Sequence, residues 1–246
     1  MWKKIGLLLT VLLLLGVAGL AIWYRIDGQP LPEAAGYFES DLFSVATESD
    51  GSIVMTPRQP NGHGLLIMHG ALIKPPSYAR TAAFFAAEGY TVYLPSGAGR
   101  MSIAAVDRAA RRLKEFAVRD WYAIGHSMGG MASLDVIQKV PDRFIAAALW
   151  AAAMPKDFKA LKLPLLFLWG DRDGLLPPER YAQARQHLPA STRYVTISGG
   201  NHQDFAMYSH QFFDNPGTLG WEAQIDAADE ITSAFFAAQQ RPATAD

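Results

Sequence analysis

Trp121-Tyr122-Ala123-Ile124-Gly125-His126-Ser127-Met128-Gly129-Gly130 is an apolar run of strand length that enters Gly-x-Ser-x-Gly directly and continues into a segment of helical period. A serine between two such elements sits on a sharp turn, with its hydroxyl pushed above the edge of a sheet. Gly125 and Gly129 are small because strand and helix pass too close there for a side chain. The five-residue pattern alone recurs by chance, so its weight depends on what surrounds it.

Working outward, apolar runs alternate with segments of helical period, the pattern of a parallel sheet covered on both faces. Phe43–Thr47 and Ser52–Thr56 read as an opening hairpin across Ser49–Gly51, and Gly64–Met68 as the first buried strand. Further strands are expected at Thr91–Leu94, Trp121–Ile124, Ile145–Trp150, Leu165–Trp169 and Tyr194–Ile197. Helices are expected at Ser77–Glu88, Ile103–Phe116, Ala132–Lys139, Glu179–His187 and Trp221 to about Gln239. Arg108, Arg111, Arg112 and Lys114 read as the wet side of the second of these. Right-handed crossovers gather the loops at the carboxyl ends of the strands, where ligands bind in this architecture.

A serine hydroxyl needs a base to take its proton, an acid to orient that base and donors to hold an oxyanion. Two later strands end in suitable groups: Leu165–Trp169 runs into Gly170-Asp171-Arg172-Asp173-Gly174, and Tyr194–Ile197 into Gly199-Gly200-Asn201-His202. The order Ser127, Asp173, His202 is that of hydrolases that carry this elbow. On these motifs, with Met68-His69-Gly70-Ala71 after the first buried strand, the chain resembles the α/β-hydrolases from about Phe43 to Phe236. The resemblance implies a nucleophile at Ser127, a general base and acid at His202, an orienting carboxylate at Asp173, and an oxyanion hole from the backbone N–H groups of Ala71 and Met128. It also favours Asp173 over its rival Asp171, which reads as a turn cap.

Fewer than 15 residues, Ala151 to Pro164, separate two strands where many such enzymes insert a lid, so no separate lid domain is expected. Among lidless relatives the chain is most similar to a dienelactone-hydrolase-like branch. That branch uses a cysteine where this chain has Ser127, so its substrate does not transfer. Covering the pocket falls to loops, the longest being Gln203–Gly220 with Phe205, Tyr208, Phe212 and Phe213; it either shapes the pocket or packs over the sheet edge.

The other histidines have structural readings: His126 packed under the turn, His69 bracing the oxyanion loop, and His63, His187 and His210 solvated. No pair has metal-ligand spacing, and neither a metal nor a cofactor is expected. Lys74 and Tyr78 read as loop support within reach of the pocket. Ser96-Gly97-Ala98-Gly99-Arg100 lacks the lysine and spacing of a phosphate loop.

Ile5 to Tyr24 carries no charge, follows Lys3 and Lys4 and precedes Arg25. Its length fits a helix across the roughly 30 Å hydrocarbon core, and exceeds the about 7–15 apolar residues of a cleaved signal. The length favours a membrane anchor over 1–25, while Gly19 and Ala21 leave a cleaved signal, hence a secreted protein, as the alternative. Trp23 and Tyr24 suit the far interface and the lysines the cytoplasmic side, which places the rest outside the cytoplasm. Residues 26–40, with Pro30 and Pro32, read as a linker, 41–240 as the folded domain and 241–246 as a disordered tail.

Of the 246 residues 50% are hydrophobic and 18% charged, which suits a folded chain with a sizeable core. The 22 basic and 23 acidic residues give a net charge of −1, so a nucleic-acid partner is not expected. There is no cysteine, which excludes disulfides and thiolate chemistry. The expected activity is cleavage of a carboxylic ester or thioester of a small molecule through an acyl-enzyme. An amidase or acyltransferase would use the same groups, and a noncatalytic binder with the fold is a further alternative.

Overall fold

In the computed structural model, residues 2–239 are described, without the side chains of residues 2–4, 7 and 8. The tail expected at 241–246 lies outside the described residues. Eight strands form one sheet in the order β1-β2-β4-β3-β5-β6-β7-β8. They are β1 Phe43–Thr47, β2 Ile53–Pro57, β3 His63–Met68, β4 Thr91–Leu94, β5 Asp120–His126, β6 Phe144–Trp150, β7 Leu165–Gly170 and β8 Arg193–Ile197. Antiparallel pairing is confined to β1 with β2 and β2 with β4; from β4 to β8 every neighbour is parallel.

The parallel strands are apolar without alternation because both of their faces are buried. Along β5, Tyr122 and Ile124 enter one core with Phe85, Trp150, Phe205 and Phe236, whereas Trp121 and Ala123 enter a second with Leu113, Leu134 and Ile137. Helices α2 (Ala79–Ala87) and α6 (Trp221–Ala237) cover the first face. Helices α3 (Val106–Leu113), α4 (Met128–Lys139) and α5 (Pro178–Arg185) cover the second. This is the α/β-hydrolase architecture expected from the sequence, without an inserted lid.

Three local expectations change. Helix α4 begins at Met128 rather than at Ala132, with Gly129 and Gly130 inside it, because close packing against β3 and β5 overrides the low helix propensity of glycine. A methyl at Gly125 would strike the Gly129 carbonyl, and one at Gly129 the Met68 carbonyl. Gly129→Ala is therefore expected to destabilise the fold by about 3 kcal/mol or more, measured by urea unfolding.

The 26–40 stretch, expected as a linker, is folded against the domain: Pro32–Phe38 forms a 3-10 helix whose Ala34 is buried against Ala79, Met207 and Ile225. The arginines of α3 are not simply solvated. Arg108 pairs with Asp50 at 2.7 Å and Arg112 with Glu48 at 2.9 Å, fastening α3 to the β1–β2 turn.

Helix α1 spans Trp2–Ile26. Its Leu9–Ile26 segment has a mean hydropathy of 2.0 with no residue buried, long and apolar enough to cross a membrane. Its end is docked: Arg100 lies 4.2 Å over the Tyr24 ring and donates to the Asp27 carbonyl at 2.8 Å.

Candidate active site

Ser127 links β5 to α4 at φ 55° and ψ −122°, a region L-residues rarely occupy. The strain follows from close packing on both sides of the turn. The Ser127 N–H is held by the Trp150 carbonyl of β6 at 2.8 Å. Its half-buried hydroxyl forms no hydrogen bond among the described residues.

The loops after β7 and β8 bring two predicted groups together. His202 Nδ1 lies 2.9 Å from Asp173 Oδ2, with both side chains almost wholly buried. Asp173 Oδ1 accepts the Leu175 N–H at 2.9 Å and the Leu176 N–H at 2.6 Å, which holds the carboxylate in one orientation. The Nδ1–H of His202 is the donor to Asp173, leaving Nε2 with a free lone pair. Asp171 is exposed and accepts from the Gly199 N–H at 2.7 Å and the Ser198 hydroxyl at 3.2 Å, bracing the turn after β8.

His126 connects these parts. Its ring lies 5.0 Å from the His202 ring, and its Nε2 lies 3.0 Å from the His202 carbonyl. A carbonyl only accepts, so Nε2 carries the proton and Nδ1 is the acceptor for the Tyr78 hydroxyl at 2.8 Å. The Tyr78 oxygen in turn accepts the Gly70 N–H at 2.8 Å. One chain of bonds thus joins the loop after β3, the elbow and the His202 backbone. Tyr78 supports that loop, as its sequence reading has it, and its buried side chain is bonded to His126 as well. Spacing gave no sign of this role, because Tyr78 and His126 are 48 residues apart and only the sheet order adjoins them.

The loop after β3 carries Ala71. Its neighbours are all bonded, Gly70 to Tyr78 as above, Leu72 N–H to the Arg100 carbonyl at 2.8 Å and Ile73 N–H to the Gly70 carbonyl at 3.4 Å. The Ala71 N–H takes no part in these bonds. The Met128 N–H, at the first position of α4, is among the donors every helix start leaves without an intrahelical partner.

His69 braces this loop: its Nδ1–H donates to the Gly70 carbonyl at 2.7 Å and its Nε2 accepts the Gly97 N–H at 3.3 Å. Burial lowers its pKa to about 4. Burial, reinforced by His202 nearby, also holds His126 well below the usual histidine value. Both rings are therefore expected to stay neutral at pH 5.5, His69 as the Nδ1–H and His126 as the Nε2–H tautomer, read from histidine nitrogen shifts in a pH series. A titration of either ring near pH 6.5 would contradict this environment.

Tyr78→Phe leaves a buried N–H and a buried imidazole nitrogen without partners, each worth about 1–3 kcal/mol. Urea unfolding should register that loss, and kcat should fall by about tenfold to a hundredfold as the loop and elbow drift apart.

A cavity of about 510 Å³ lies beside β1, β2 and the Lys74–Pro76 loop, and none of Ser127, Asp173, His202, Ala71 or Met128 lines it. A smaller one, about 180 Å³, is bounded by Ala71, Leu175, Tyr208, Phe212, Phe213 and the end of α1. In loop Gln203–Gly220, Phe205 and Tyr208 are buried in the core, whereas Phe212 and Phe213 are exposed and line the smaller cavity.

A search of curated proteins finds no significant match to the sequence. Among solved structures, the chain is similar to a predicted CIB-like hydrolase from Thermoplasma acidophilum, with a TM-score of 0.59 and 16% identity over 79% of this chain and 98% of that one. It is also similar to naproxen esterase (carboxylesterase NP) from Bacillus subtilis, with a TM-score of 0.58 and 13% identity over 83% of this chain and 94% of that one. At such identities the likeness speaks for the fold. Residues 64–226, from the third strand into the last helix, match the alpha/beta hydrolase family in sequence, and the chain belongs to that family.

Proposed function

We propose that this protein is a serine hydrolase that cleaves a carboxylic ester or thioester through an acyl-enzyme. The observation that carries this reading is the buried His202–Asp173 pair, 2.9 Å apart, whose imidazole lies against the strained elbow that presents Ser127. Membership of the alpha/beta hydrolase family supports the reaction class.

In the proposed reaction the Ser127 oxygen bonds to the substrate carbonyl carbon as its proton passes to His202 Nε2. Asp173 steadies the resulting imidazolium and fixes its orientation. The N–H groups of Ala71 and Met128 face the developing oxyanion; in other hydrolases one such donor is worth about 2.7–4 kcal/mol of barrier. His202 then returns its proton to the departing alcohol or thiol. Water, deprotonated by His202, cleaves the acyl-enzyme and regenerates the hydroxyl.

We also read α1 as an anchor that keeps the catalytic domain on the far side of the membrane from Lys3 and Lys4. The absence of charge from Ile5 to Tyr24 and the lack of burial along Leu9–Ile26 support this. A fluorophosphonate probe tests the reaction: it should label the purified protein but not Ser127→Ala, and a folded protein that stays unlabelled would make it a noncatalytic binder. Retention in membranes at full mass after carbonate washing tests the anchor.

A further inference from the structure

The 180 Å³ cavity beside Ala71 is lined by Trp23, Asp27 and Gly28 at the end of the apolar helix, by Phe212 and Phe213, and by Leu175, two residues past Asp173. Hydrogen bonds fix the helix end and the aromatic loop to each other. The Ser209 hydroxyl donates to the Ile26 carbonyl at 2.9 Å, the Ser209 N–H to the Gln29 carbonyl at 2.9 Å, and the Leu31 N–H to the Met207 carbonyl at 2.9 Å. Trp23 and Phe212 meet with ring centroids 6.2 Å apart.

Phe213 is 91% exposed and held at φ 67°, a conformation that is uncommon for any residue and an outlier for a bulky one. Water gives no reason to display a phenyl ring from a strained backbone. A bilayer does, because apolar surface that is costly in water is favourable in the acyl region, and aromatic rings favour the interface. Its neighbour Phe212, 6.3 Å away between ring centroids, meets Trp23 near the end of α1, the level at which a spanning helix leaves the hydrocarbon.

The volume points the same way. Pockets that enclose a whole drug-sized ligand usually measure about 300–1,000 Å³. At about 180 Å³ this one, which borders the candidate site at Ala71 and is not lined by Ser127 or His202, holds no more than a short stretch of chain, so most of a larger molecule seated there lies outside it. On the anchor reading, the end of α1 in this wall sets the exterior on this side against the membrane.

We propose that the substrate is a long-chain acyl ester resident in the bilayer, drawn into the site between the α1 end and Phe212–Phe213 while its tail stays in lipid. This rests on the serine-hydrolase and anchor readings above. It makes the aromatic pair an interfacial wedge rather than a lid.

Because the chain has no cysteine, Phe213→Cys provides a unique attachment point for an environment-sensitive fluorophore. With the full-length protein in phosphatidylcholine vesicles, emission from this site should shift to the blue and be quenched by nitroxide-labelled lipid. A label at Asp142→Cys, exposed just before β6 at the amino end of the parallel strands, should show neither effect. Equal behaviour at the two sites overturns the proposal.

A second measurement compares turnover of a long-chain fluorogenic ester held in the vesicles with that of a water-soluble acetate ester. The ratio of the two should be at least tenfold higher for the wild type than for a Phe212→Ser/Phe213→Ser variant. A ratio unchanged within twofold overturns the assigned substrate even if the label inserts. Fluorophosphonate labelling of the same samples separates the two levels: labelled protein with an unchanged ratio refutes this inference alone, and unlabelled folded protein refutes the hydrolase reading beneath it.

Discussion

Ser127→Ala is expected to lower kcat/KM on any ester the enzyme turns over by about 10⁴-fold or more, leaving only the contribution of the oxyanion donors and substrate binding. The hydroxyl forms no hydrogen bond among the described residues, so its loss leaves no buried group unpaired and the fold should survive. The backbone allows a sharper test. At φ 55° and ψ −122° any Cβ is strained, whereas glycine is not. Ser127→Gly should therefore be as inactive as Ser127→Ala yet more stable by about 1 kcal/mol, after allowing for the greater entropy of glycine in the unfolded chain. Initial rates and urea midpoints on the two variants check both halves. Rate retained in either variant would remove Ser127 from the chemistry.

Asp173→Asn is expected to cost about 10⁴-fold in kcat with little change in fold, for a reason particular to this loop. Asp173 Oδ1 accepts two backbone N–H groups, from Leu175 and Leu176, and an asparagine keeps both bonds only by placing its oxygen there. Its NH₂ then faces His202 Nδ1, 2.9 Å away in the native pair, and two donors cannot share that position. The imidazole must move its proton to Nε2, the atom that would have taken the serine proton. Nitrogen shifts of His202 in the variant should report the exchanged tautomer alongside the rate loss. Asp171→Asn, altering an exposed turn brace, should stay within about twofold of wild type, and a comparable loss there would reverse the assignment of the two carboxylates.

The parallel sheet was legible because its signals are local. Strands β4, β6 and β7 are short apolar runs, the first and last of them bounded by glycine or proline, and burial on both faces leaves an unalternating pattern that composition alone reveals. Boundaries shifted where tertiary packing outweighs propensity, as at Gly129 and Gly130 inside α4. The groups proposed for the site were readable for a related reason: each follows a strand end, so strand identification also identifies the rim that carries them.

What the sequence by itself determined was the set of chemical groups at the strand ends, their order, and an apolar helix ahead of them, since periodicity and residue type are properties of neighbours along the chain. The tertiary structure alone decided that Tyr78 is tied through His126 to the His202 backbone and that Trp23 closes against Phe212. These are contacts between segments distant in sequence, brought together by burial of the sheet on both faces, and neither spacing nor composition records which distant partner such burial will supply.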